Sequence, residues 1–143
     1  MKNSLKFLLI ICLCFTTLSL FAQKRDRATM IQTGVIDSRT GKITWSESVE
    51  VDLIFTLDGS DLYIDDKANT HIKTYGKSRE KEGYNDDGDE FVSYSWDAYD
   101  EKNRSCIFSM TLFKKLKIVT YVIRYNDVAF RYYIKNSLSN FSL

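Results

Sequence analysis

Few side chains in this 143-residue sequence have chemistry to offer, and they do not gather into a reactive pattern. His71 is the only histidine, so a histidine-rich metal site is excluded and a single imidazole base is available. It alternates with apolar Ile72 and shares a side with Lys73, which is the pattern of a solvent-facing strand histidine. Serine is frequent, yet there is no Gly-x-Ser-x-Gly elbow, and nothing in the spacing brings a serine or cysteine to His71. Cys106 falls on an apolar alternation between Ala98 and Ile123. A thiol buried there acts as a small hydrophobe with a raised pKa rather than as a nucleophile. Aspartate and glutamate are numerous, but no pattern sets two across a cleft. A carboxylate-based hydrolase therefore stays an alternative without assigned catalytic residues. No cofactor is called for.

The run Asn85-Asp86-Asp87-Gly88-Asp89-Glu90 is the one candidate for metal chemistry. Asn85, Asp87 and Asp89 offer oxygen ligands at alternate positions and resemble the start of an EF-hand loop, which implies calcium. The glycine sits before the sixth position that such a loop requires, and the twelfth position is Trp96 rather than glutamate. The competing reading is a solvated loop, partly neutralised by Lys77, Arg79 and Lys81. Aromatic residues make up 14% of the chain. Tyr94, Trp96, Tyr121 and Tyr132 fall on one inferred inward face, as does Trp45 on its own strand. Inward aromatics in a small barrel either fill the interior or line a ligand cavity. The Gly-x-Trp opening of lipocalin and avidin barrels is not matched, because Gly41 and Trp45 are too far apart.

The elements that would carry these residues are strands. Residues 106–135 contain three apolar runs separated by Lys114-Lys115 and Asn126-Asp127. A type I′ turn at Asn126-Asp127 pairs Tyr125 with Val128, Ile123 with Phe130, Tyr121 with Tyr132 and Val119 with Ile134. A turn at Lys114-Lys115 pairs Met110 with Val119 and Phe108 with Tyr121. Both turns put apolar partners on one continuous face, which a one-residue slip would destroy. Upstream, residues 91–99 pair Ala98 with Cys106 and Trp96 with Phe108.

Residues 30–36 read as a first strand, preceded by a frayed terminus. Gly41 then allows Ile36 to face Ile43 and Gly34 to face Trp45. Residues 43–57 alternate over a length that predicts a bend at Ser46-Glu47-Ser48. An Asp58-Gly59 turn pairs Phe55 with Leu62 and Leu53 with Ile64, and a loop with left-handed Asn69 brings Ile72 opposite Ile64. Residues 76–90 lose all alternation and read as a polar insertion. Ile54, Ile107, Ile118, Val122 and Tyr133 point outward, forming an apolar exterior patch that a partner could cover.

The fold expected is an all-β antiparallel meander of eight to nine strands closing as a barrel or half-barrel; the alternative is a two-sheet sandwich. Residues 1–22 read as a cleaved signal peptide: basic Lys2 and Lys6, an apolar run to Phe21, and small Ala22 before Gln23. The Ser-Leu-Phe-Ala-Gln ending resembles that of Gram-negative export signals, which implies a periplasmic or extracellular protein. No transmembrane segment follows cleavage. Residues 23–143 form a single domain. Cleavage removes both of those lysines and no acid, so the formal net charge moves from +1 to −1. Such a balance gives no reason to expect nucleic acid. It also removes Cys12 and Cys14, leaving no internal disulfide. The function expected is an exported β-domain that binds a protein or small molecule without catalysis, the alternatives being the hydrolase and a calcium-stabilised structural module.

Overall fold

The computed structural model describes residues 23–135, so the expected signal peptide lies outside the described residues. Those residues form nine strands: β1 (Lys24–Ile36), β2 (Ile43–Trp45), β3 (Val49–Asp58), β4 (Asp61–Ile64), β5 (His71–Tyr84), β6 (Glu90–Asp100), β7 (Ser105–Phe113), β8 (Ile118–Arg124) and β9 (Val128–Lys135). Every neighbouring pair is antiparallel, and β1 also pairs with β9, which closes one continuous sheet into a ring. That closure is the meander barrel or half-barrel expected, and the two-sheet alternative is not adopted. Since β9 occupies one side of β1 over most of its length, β2 and β3 share the other side as one interrupted strand.

The interruption falls at residues 46–48, where a bend was expected. Ser46 is anchored to β1 there: its amide donates to the Thr33 carbonyl at 2.8 Å and its Oγ accepts from the Thr33 amide at 3.0 Å. The break separates two faces. Leu53, Phe55 and Leu57 point into the ring, whereas Ile43 and Trp45 lie on the outside, so the inward placement of Trp45 is corrected. A bulge between Ala28 and Met30 shifts β1 against both its neighbours and makes the matching switch. Trp45 does face Gly34 as expected, and a Cβ added at Gly34 would come within 2.5 Å of Ile43 and 2.9 Å of the indole.

The interior is built from the face inferred in sequence. Phe55, Phe108, Tyr121 and Tyr132 are all buried and meet edge to face, with centroids 4.9 Å apart for Phe55–Tyr132 and 5.5 Å for Phe55–Tyr121. The β8–β9 pairing of Tyr121 with Tyr132 and the β6–β7 pairing of Ala98 with Cys106 stand as read. Three other hairpins slide by two residues. Phe55 meets Ile64, Leu62 meets Ile72 and Phe108 meets Ile123, because the chain turns at Gly59-Ser60, across residues 65–70 and across residues 114–117. Gly59, Asn69 and Lys117 supply the positive φ in these turns, at 58°, 49° and 53°. Asn126 and Asp127 have negative φ, so that hairpin keeps its register without the expected type I′ turn.

Two stretches read as irregular are strand. β1 begins at Lys24, with Asp26 and Ala28 buried inward and Arg27 outside in a bidentate pair with Asp52 at 2.6 Å. The polar insertion is the outer half of β5, with Arg79 to Tyr84 paired to Ser95 through Glu90.

Candidate functional site

The ring has two ends, and the aromatic layer closes the path between them. Trp96 stacks on Phe108 at 5.8 Å and Phe108 meets Tyr121 at 5.6 Å, so a phenyl ring fills the space between Trp96 and Tyr121. At the end carrying the β3–β4 turn, Trp96 lines a recess of about 160 Å³ with Leu57 and Met110. Tyr94 is partly buried on the same face. Behind this layer Tyr121 donates its phenol to buried Asp26, which also sits 3.3 Å from Lys24 Nζ.

The opposite end holds the larger interior space, about 400 Å³. Its apolar wall comes from Ile31 on β1, Leu53 on β3, Ile123 on β8, and Phe130 and Tyr132 on β9. These positions are inward because the β1 bulge and the β8–β9 register place them there. The polar rim comes from two turns. Asp66 closes the β4–β5 loop by accepting from the Ala68 amide at 3.1 Å, the Thr70 amide at 2.9 Å and the Thr70 hydroxyl at 2.7 Å. Asp100 closes the β6–β7 turn by accepting from the Lys102 and Arg104 amides at 2.9 Å and from Arg104 Nε at 2.7 Å. Glu101, Lys102 and Arg104 complete the rim.

Electrostatics at this mouth follow from burial. Burial of Asp100 opposes its ionisation, but the amides and guanidinium of Lys102 and Arg104 outweigh that, and its carboxyl titrates below the usual aspartate value. Burial pushes the Tyr125 and Tyr132 phenols well up, Cys106 and Asp100 adding to the first and Asp66 to the second. Both stay neutral near pH 7. Arg104 lies over the Tyr125 ring at 4.9 Å, which fixes its guanidinium at the rim. Cys106 is 6% exposed, and burial pushes its thiol up to about 11, so it is not an activated nucleophile.

The remaining sequence candidates sit apart from this mouth. His71 Nε2 lies 2.7 Å from Asp61 Oδ1 on the exterior, and its ring stacks on Tyr63 at 4.6 Å. Asn85, Asp87 and Asp89 do not converge on a common point. Asn85 Oδ1 accepts from the Asp87 and Asp89 amides, at 3.1 and 2.7 Å, and buried Asp89 reaches across to accept from the Lys115 and Leu116 amides. These carboxylates and amides staple the tips of two hairpins together. Among the described residues no cluster of three or more His, Cys, Asp or Glu could hold a metal ion. Of the four aromatic cavity candidates, Tyr132 reaches the mouth. Ile31, Leu53 and Phe130 were not singled out, since their grouping depends on ring closure between β1 and β9.

A second concavity of about 570 Å³ runs along the outer face of β5 to β9, where serine, threonine and basic side chains alternate with apolar ones, among them Trp45, Phe91, Ile107, Phe113 and Val122. Comparison with family models, curated proteins and solved structures finds no match, so geometry alone carries the functional argument.

Proposed function

We propose that this protein is an exported, non-catalytic binding domain that takes a small amphiphilic molecule into the mouth of its strand ring. The observation that carries the reading is the mouth's construction. An apolar wall of Ile31, Leu53, Ile123 and Phe130 lies beneath a rim of fixed hydrogen-bonding groups, Thr70 and Arg104 among them, around about 400 Å³. Pockets of roughly 300–1,000 Å³ with that polarity gradient suit a ligand with an apolar body and a polar head. Rim carboxylates Asp66 and Asp100 are saturated by amide donors, which suits them to holding loops rather than transferring protons. The exterior supports a water-facing barrel, because Arg27, Asp52, Arg79 and Asp97 sit where a lipid-facing band would need apolar residues.

The test is titration with anilinonaphthalene sulfonate, followed by displacement with medium-chain alcohols and acids. One equivalent of probe should bind the native protein and be displaced. Leu53→Trp fills the wall and should abolish binding, while Ser95→Ala on the exterior leaves it unchanged. A ligand at a hundredfold its Kd should add about 2.7 kcal/mol of stability. Absence of binding to the folded protein, or binding that survives Leu53→Trp, would overturn the proposal.

A further inference from the structure

The exterior concavity shares no lining residue with the mouth. Pairing registers set its residues in rows across the sheet. One row runs Arg79, Ser95, Ser109, Val122, Arg131 across five successive strands, β5 to β9. The next places Lys81, Ser93 and Thr111 side by side. Hydroxyls thus share the centre with apolar Ile107 and Val122, and cations stand at both sides.

The hydroxyls are paired across β6 and β7, Ser93 with Thr111 and Ser95 with Ser109, each at 2.9 Å. Each pair spends one O–H on itself and keeps a second O–H donor and several lone pairs for a ligand. Arg79 is held by Asp97 through two bonds of 2.9 Å. Lys81, Arg124 and Arg131 have no carboxylate within ion-pair distance among the described residues. Arg131 is nevertheless fixed, with its guanidinium 3.9 Å over the Trp45 ring and Nη1 donating to Gln32 Oε1 at 3.4 Å. A chain with a formal charge of only +1 therefore gathers on one face three cations without a carboxylate partner among the described residues.

Geometry narrows the occupant. Backbone groups of β6, β7 and β8 are consumed by ladders on both sides, so a peptide cannot add as a strand over them. Arg131 covers one face of Trp45, and Phe91 packs against Phe113 at 6.2 Å, so no row of aromatic rings runs across the strands for successive nucleobases to follow, and an oligonucleotide is kept as an arm of the test. Four strand spacings separate Lys81 from Arg131, roughly 19 Å, so a single small anion cannot meet both. Hydroxyls in the middle and cations at the sides complement a chain that alternates hydroxyls with carboxylates. We propose that this outer face binds an acidic oligosaccharide, a uronic-acid chain laid across β5 to β9.

Calorimetric titration with oligogalacturonate, maltooligosaccharide of the same length, polyglutamate and a single-stranded oligonucleotide decides it. Oligogalacturonate should bind with an affinity that falls as salt rises, and the neutral maltooligosaccharide should not. The double variant Lys81→Gln/Arg124→Gln should weaken binding at least tenfold. Ser95→Ala/Ser109→Ala should weaken it several-fold while leaving the salt dependence as it was. Both pairs are away from the core, and unchanged melting confirms the fold. Leu53→Trp should leave this binding intact, which separates it from events at the mouth. The proposal is overturned by failure of oligogalacturonate to bind or by indifference to both double variants. Equal affinity for polyglutamate or the oligonucleotide would also overturn it, since the face would then be a general anion surface.

Discussion

At the scale of single residues, the acids of this protein chiefly organise turns. Asp66, Asp89 and Asp100 each accept backbone amides from a connection that would otherwise leave them unpaired. Asp100 is the most demanding, at 2% exposure with four donors including the Tyr125 phenol at 3.2 Å. Asp100→Asn would turn one acceptor into a donor facing Arg104 Nε, and should cost about 1–3 kcal/mol at pH 7 in urea unfolding. The pH dependence has a definite sign. The folded-state pKa lies below the ordinary value, so the stabilisation is fully present above an unfolded pKa near 4 and is lost as pH falls through the folded value. Wild type and variant should therefore converge in stability as the solution is acidified below about pH 4. A constant gap between pH 7 and pH 3 would show that Asp100 does not act through its charge. The sequence displayed these acids but not their partners. Residues 85–90 drew a metal reading because spacing reveals where oxygens lie along the chain, while the Lys115 and Leu116 amides that engage Asp89 come from another hairpin.

At the scale of elements, alternation disclosed which face β3, β4 and β6 to β9 bury, failed for β2, where Trp45 lies outside, and was insensitive to slides of two residues. Phe55 opposite Leu62 and Phe55 opposite Ile64 bury the same side chains, so only turn chemistry separates them, and Gly59 takes its positive φ one position earlier in the turn than was read. The unread outer half of β5 has a different cause. Beyond Thr74, whose amide meets the Ser60 carbonyl, it has no strand paired on the β4 side, so from Lys77 to Glu82 its residues are exposed and no apolar alternation is required. Charges along an unpaired edge oppose association with another strand. Pairing with β6 should still be visible in hydrogen exchange. Amides of residues 79–84 that point toward β6 should be protected, in alternation with edge-facing ones that exchange freely. Uniformly rapid exchange from 77 to 88 would restore the loop reading.

At the scale of the whole molecule, closure was expected, but the register at which it is made was not legible. Hairpins are local and can be counted from their turns, whereas β1 meets β9 across nearly the full chain, through a bulge that no residue at 28–30 announces. Closure turns β9 from an edge strand into one held on both sides. Inserting one alanine between Asn126 and Asp127 tests this. If the added residue is not absorbed in the turn, β9 slips by one against β8 and β1 together. Phe130, Tyr132 and Ile134 would then face outward, while Arg131 and Lys135 entered a core now filled by Phe55 and Tyr121. Burying unpaired charge costs several kcal/mol, comparable with the ~5–15 kcal/mol that holds a domain together. Absorbing the residue in the turn instead would break the Tyr125–Val128 hydrogen bond of 2.8 Å, a loss of about 1 kcal/mol. Asn126→Gly separates the two costs. The site has negative φ, so glycine gains no relief there and should lower the melting temperature by only a few degrees. The insertion should abolish cooperative unfolding altogether, with near-ultraviolet dichroism from the Phe55, Tyr121 and Tyr132 cluster lost at room temperature. An insertion variant melting as cooperatively as Asn126→Gly would mean that β9 can be displaced without opening the ring, and that closure by β1 contributes little to stability.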